Sequence, residues 1–121
     1  MQRRINPHPQ IGDIWLVDLN DSIVGHEQRG KRPAIILAIH QETYLVEVVP
    51  LTSKLEASRF PFSYRIRRSF SNGLSSDSVA MIFQLRSISF KRLSKKIGML
   101  EALHLKAIKM MIIEYLKLKS I

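Results

Sequence analysis

Three side chains able to handle a phosphodiester stand close together in the run Gly25-His26-Glu27-Gln28-Arg29-Gly30-Lys31-Arg32-Pro33. The His26 imidazole changes charge near neutral pH, the Glu27 carboxylate accepts or orients a proton, and the Arg32 guanidinium offers a phosphate a planar fork of donors. Gly25 and Gly30 let backbone come close to a ligand. Each residue also has an ordinary structural explanation. An arginine before a proline is usually a surface charge, Glu27 can pair with Arg29 for little gain, and His26 can simply be solvated. Singly, none of them defines a site.

The whole chain points to a polyanionic partner. Its 121 residues carry 19 Lys and Arg against 10 Asp and Glu, a net charge of +9, and each neutralised phosphate releases counterions and adds affinity independent of sequence. One compact domain over residues 1–121 is expected from the length and from 45% apolar residues. The absence of cysteine excludes a disulfide framework, a thiolate nucleophile and a zinc site built on sulfur. Met1 to Gln10 is polar, with Pro7 and Pro9, and no apolar run approaches membrane-spanning length, so a soluble cytoplasmic protein is expected. Asp13, Asp18 and Asp21 do not form the compact carboxylate set of a Mg²⁺ nuclease, and no Gly-x-Ser-x-Gly elbow is present. No cofactor and no metal are expected.

The elements that must position these groups follow from periodicity. Ile11 to Leu19 is a nearly continuous apolar run of strand length, and Asn20 to Lys31 is an irregular loop. Pro33–Ile39 and Tyr44–Val49 read as strands joined through Gln41, Glu42 and Thr43, with a loop over Pro50–Ser58. Phe60, Phe62, Tyr64 and Ile66 alternate with Arg65 and Arg67, so one strand face is aromatic and the other basic. Ser69–Asp77 is a turn region, followed by strand-like runs at Val79–Phe83 and Leu85–Phe90 and a basic segment at Lys91–Lys96. Leu105, Ile108, Met111, Ile112, Tyr115 and Leu116 recur at helical spacing, which gives an amphipathic C-terminal helix. The fold class expected is mainly β, a small antiparallel, barrel-like sheet with the helix packed on it.

Gly12-Asp13-Ile14-Trp15-Leu16-Val17-Asp18-Leu19 followed by Gly25 to Ala34 resembles the opening of MazF/PemK toxins. Pro50-Leu51-Thr52-Ser53, Phe60-Pro61-Phe62, Asp77-Ser78-Val79-Ala80 and Gln84-Leu85-Arg86-Ser87-Ile88 are similar to that family's later motifs. The resemblance implies an SH3-like barrel of the MazF/PemK/CcdB type, a homodimer, and an RNA groove across the dimer interface. It also implies cleavage of single-stranded mRNA at a short sequence, and an antitoxin protein that occludes the groove.

By this resemblance Arg32 and Thr52 match the family's catalytic Arg and Thr, Glu27 a residue important in the MazF branch, and His26 a histidine of the PemK branch. Metal-free RNA cleavage uses the substrate's own 2′-hydroxyl, so the protein must help deprotonate it, stabilise charge on phosphorus and protonate the leaving oxygen. An ordinary arginine stays protonated, so Arg32 is assigned charge stabilisation first. Ser53, Gln28, Arg29, Lys31, Arg65, Arg67, Gln84 and Arg86 are the expected RNA-binding residues, and Arg59 and Arg68 can extend the phosphate track. The aromatics Phe60, Phe62, Tyr64 and Phe83 suit base stacking, although alternating aromatics more often belong to a core. The family's acid/base pair before the Gln-x-Arg element is replaced by Met81 and Phe83. Two rivals stay open: a cleavage-deficient nucleic-acid binder, and a non-enzymatic gyrase poison resembling CcdB. The latter depends on a C-terminal Trp-Gly-Ile, whereas this chain ends Lys119-Ser120-Ile121 and its only Trp is Trp15.

Overall fold

Valine, isoleucine and leucine dominate the central runs, and they pack best on a pleated surface with cross-strand neighbours. In the computed structural model, which describes residues 8–19 and 31–118, these runs form β1 (Asp13–Asp18), β2 (Lys31–His40) and β3 (Leu45–Thr52). They are followed by β4 (Ser63–Ile66), β5 (Ser78–Met81), β6 (Arg86–Ser89), β7 (Leu93–Met99) and one helix, α1 (Ala102–Tyr115). All strand pairs are antiparallel, in the order β4-β5-β3-β2-β1-β7, and β6 lies on β3 beside β5. The fold is thus mainly β with a C-terminal helix, a sheet curled towards a barrel without closing.

Two apolar clusters lie on the sheet's two faces. Ile14, Ile35, Val49, Leu51, Ile66, Ala80 and Ile82 form one, and α1 covers it through Ile108, with Leu105, Met111, Ile112 and Tyr115 packed alongside. Trp15, Val17, Ala34, Ile36, Val46, Val48, Ile88 and Leu93 form the other. Leu116, expected in the helix stripe, instead sits at the C-terminal cap of α1 and is 45% exposed.

Several expectations change. Pro50–Ser58 is not a loop throughout: β3 continues to Thr52, and a 3-10 turn covers Leu55–Arg59. Pro50 is accommodated because it falls between the Val48↔Arg86 and Leu51↔Ala80 pairs, where that edge of β3 changes partner. Alternation over Phe60–Arg67 survives only in β4, and Phe83 leaves its strand for a 3-10 turn at Ile82–Gln84. The basic segment Lys91–Lys96 becomes a short turn and then the edge strand β7. Its Ser94, Lys95 and Lys96 are exposed, and lysines on an exposed edge protect it from pairing with other chains while erasing apolar alternation.

Two polar anchors hold the curl. Asp13, fully buried, accepts from Gln10 N at 2.8 Å and Trp15 Nε1 at 3.0 Å, and its other oxygen faces Lys96 Nζ at 3.3 Å. At the open seam, the turn after β4 docks on β7, where Met99 N donates to Ser71 O at 2.9 Å. A Cβ on Gly98 would lie 2.5 Å from the backbone of Ser71 and Asn72, so this approach requires glycine. Buried Asn72 uses its whole amide here. Oδ1 accepts from Ser69 N (3.0 Å) and Leu74 N (3.1 Å), and Nδ2 donates to Arg67 O (3.0 Å) and Glu101 Oε1 (3.2 Å).

Asn72→Ala is therefore expected to destabilise the fold by roughly 2–4 kcal/mol in urea unfolding, because it strands several buried partners. Burial of Glu101 raises its pKa, but hydrogen bonds from Ser69, its own backbone, Asn72 and Ser71 outweigh this and hold it below the ordinary 4.5. A depressed carboxylate stabilises the fold above its unfolded value and loses that contribution as pH falls through the folded one. The stability gap between wild type and Glu101→Gln should accordingly shrink on acidification below about pH 4.5. A gap constant from neutral to strongly acid pH would contradict this.

Candidate functional site

Register, rather than proximity in sequence, assembles the basic and hydroxyl groups. Arg32 is the second residue of β2 and pairs with Val17, and Thr52 closes β3 and pairs with Val79 on β5. Val79 in turn pairs with Arg65 on β4. The last β2–β3 pair is Ala34↔Pro50, and Arg32 and Thr52 each stand two residues beyond it on their own strands. Directly opposed residues point to the same side of an antiparallel sheet. Thr52, Val79 and Arg65 therefore make one row on the side away from the α1-covered cluster, to which Leu51, Ala80 and Tyr64 of the neighbouring row belong, and alternation from Ala34 turns Arg32 to that same side. Arg65 is exposed, while Arg32 and Thr52 are half-buried.

Thr52 Oγ1 accepts a hydrogen bond from Lys54 N at 3.2 Å. This hydroxyl-to-backbone turn fixes the oxygen and directs its own hydrogen elsewhere, which suits it to hold a phosphate oxygen. The role of the Lys54 amide was missed in the sequence, although a threonine two residues before a free N–H is a recognisable local signal. Lys31 is exposed and opposite Asp18, and Ser53 is exposed just past β3. Arg67 lies just beyond β4, exposed, with its carbonyl committed to Asn72.

Other expected residues sit apart from this row. Arg86 opposes Val48, four residues before Thr52, or roughly 13 Å along β3. Gln84 is exposed at the end of its turn. Arg68 is exposed, and its backbone N donates to Asp77 Oδ1 at 2.9 Å. His26, Glu27, Gln28 and Arg29 lie outside the described residues. Of the aromatics, Phe62 and Tyr64 pack against the α1-covered core. Phe60 and Phe83 instead pack against each other, with ring centroids 5.4 Å apart and planes tilted at 53°, and the Arg59 guanidinium lies 5.1 Å over the Phe60 ring. Met81 is buried. Neither Met81 nor Phe83 supplies an acid or a base.

Residues 10–116 match the model of PemK-like, MazF-like toxins of type II toxin–antitoxin systems. The chain belongs to this family. It is 33% identical to the endoribonuclease MazF9 of Mycobacterium tuberculosis (strain ATCC 25618 / H37Rv) over 102 residues, 78% of this chain and 84% of that one. Its fold is that of MazF from Deinococcus radiodurans, at a TM-score of 0.72 and 24% identity, covering 90% of this chain and 96% of that one. MazF in the MazE–MazF complex from the same organism gives a TM-score of 0.70 at 24% identity, over 92% and 97% of the two chains. No helix among the described residues of this PemK-like toxin is long and apolar enough to cross a membrane.

Arg32→Ala is expected to abolish RNA cleavage with little change in thermal stability. Thr52→Ala should cost roughly a hundredfold or more in rate, as for the loss of one oriented donor to a charged transition state. Thr52→Ser should retain most activity. A serine variant as poor as the alanine one would show that the hydroxyl is not what matters.

Proposed function

We propose that this toxin is a metal-independent, sequence-specific endoribonuclease acting on single-stranded RNA, principally mRNA. The observation that carries this is the alignment of Thr52 and Arg65 through Val79 of β5, with Arg32 of β2 facing the same side, a set of donors suited to phosphate on a chain of net charge +9. It is supported by 33% identity to a protein named as an endoribonuclease over most of both chains.

In the proposed reaction the 2′-oxygen attacks the adjacent phosphorus while its proton is removed. The bond to the 5′-oxygen breaks and that oxygen takes up a proton, giving a 2′,3′-cyclic phosphate and a 5′-hydroxyl. Arg32 stabilises the charge that builds on phosphorus, and the Thr52 hydroxyl holds a non-bridging oxygen. With Met81 buried and Phe83 packed against Phe60, acid/base work is assigned to His26 and Glu27, in the segment leading into Arg32. Lys31, Arg65 and Arg67 bind flanking phosphates, with Gln28, Arg29, Ser53, Gln84 and Arg86 reading bases or backbone. The partners proposed are a cognate antitoxin, whose acidic segment folds onto the basic surface, and a second copy of this chain. Self-association is supported by Leu103, Met110 and Ile113 of α1, which are 79%, 61% and 48% exposed. The proposed location is the cytoplasm, where mRNA is found.

Incubating the protein with RNA in EDTA should give cleavage with 5′-hydroxyl and cyclic-phosphate ends, while the all-DNA analogue stays intact. A strict Mg²⁺ requirement or 5′-phosphate products would overturn the mechanism. His26→Ala and Glu27→Ala should each slow single-turnover cleavage by roughly a hundredfold and alter its pH profile. Phe83→Leu should change site preference or affinity more than the chemical step. Unchanged rates in both loop variants would remove them from the reaction.

A further inference from the structure

A second recess lies at the opposite end of β2, roughly 26 Å from Arg32 at about 3.3 Å per residue along the strand. It is a cleft of about 630 Å³, within the range that accommodates a small ligand. His8, Gln10, Gln41, Tyr44, Phe90 and Lys91 line it, and none of its described lining residues is acidic.

Tyr44 has φ 61 at the end of the turn between β2 and β3, with its N–H on Gln41 O at 3.3 Å. Hairpins place glycine or asparagine in such left-handed positions, because a Cβ is strained there. Core packing does not explain a tyrosine at this point, since the residue is 68% exposed. Its ring rests against Phe90, with centroids 5.5 Å apart and planes at 53°, and Phe90 N donates to Tyr44 O at 2.9 Å. The backbone bond thus fixes an exposed aromatic wall. Beside it stands the exposed Lys91, and the exposed side-chain amides of Gln10 and Gln41 complete the rim.

We propose that this cleft binds a nucleotide, with the base stacked on Tyr44, its edge read by the glutamine amides, and the phosphate at Lys91. An aromatic face with a neighbouring cation suits any base, because every base has a π-face. The nucleotide comes either from an RNA strand extending past the cleaved bond, an arm that rests on the endoribonuclease reading, or from a free nucleoside monophosphate.

The test is titration of the isotope-labelled full chain with adenosine 5′-monophosphate, alongside anisotropy with 2′-O-methyl oligonucleotides, whose blocked 2′-oxygen prevents cleavage. One oligonucleotide is short and the other long enough to span both sites. Tyr44→Gly and Lys91→Gln are each expected to weaken monophosphate binding about tenfold or more, while Tyr44→Phe preserves it and Thr52→Ala leaves it unchanged. Tyr44→Gly should unfold at no lower urea concentration than wild type, because the backbone favours glycine there. If it misfolds, Lys91→Gln and Tyr44→Phe still decide the matter. Weaker binding of the long oligonucleotide alone identifies the RNA strand as the source, and weaker binding of the monophosphate alone identifies the free nucleotide. Binding of both the monophosphate and the long oligonucleotide that is absent, or that is indifferent to both Tyr44→Gly and Lys91→Gln, overturns the proposal. A protein that binds the monophosphate in the cleft yet cleaves no RNA would sink the endoribonuclease reading and leave the cleft standing.

Discussion

One strand with a divided edge organises this molecule. β3 gives its first edge to β2 from Leu45 to Pro50, but its second edge goes to β6 over Leu45–Val48 and to β5 over Leu51–Thr52. A buried backbone group without a partner is costly, so both neighbours must be present. They cannot be coplanar continuations of each other, because the short turn at Ile82–Gln84 intervenes between them. The sheet therefore bends about Pro50, and its two faces become two separate apolar clusters. Every residue of β3 from Val46 to Leu51 except Glu47 is buried, so a lapse of register here would move apolar side chains of both clusters at once.

The same bend explains the character of the candidate site. Thr52 is the final residue of β3, level with Val79 and Arg65, so the hydroxyl lies between cations contributed by different strands. Val79, opposite Thr52, and Val17, opposite Arg32, are fully buried. Charged groups set against an apolar floor are screened less than they would be in open water, which strengthens their hold on a phosphate. In the proposed reaction, rigid strands would also limit the reorganisation needed as charge develops. The cost is a concentration of like charge, which an anionic ligand relieves.

Phe83 does not stand alone. Phe83 packs on Phe60, Arg59 lies over Phe60, and Tyr115 of α1 donates to the Phe83 carbonyl at 3.2 Å. A carboxylate at that position would face an aromatic ring with little to offer it, whereas the aromatic pair gains packing and a cation–π contact. This region is thus built on aromatic packing and shape.

Residue type and local periodicity alone determined much of this protein. The apolar runs behind β1, β2 and β3, the helical spacing of Leu105, Ile108, Met111 and Ile112, and the excess of cations are all local properties, so they are legible in the order of the residues itself. So was the chemistry open to Arg32 and Thr52, because a guanidinium and a hydroxyl carry their donors wherever they stand. Tertiary structure decided the rest. Lys91–Lys96 carries too few apolar residues to announce β7, which exists because β1 needs a partner on its free edge and Lys96 reaches buried Asp13. Phe60 alternates with its neighbours as if in a strand, yet the 3-10 turn before it carries the ring to Phe83. That Thr52 and Arg65 share a row, and that Arg32 faces the same side, follows from pairing and alternation along three strand interfaces. Both depend on where the strands turn and where a bulge falls, and a one-residue slip would send each side chain to the opposite face.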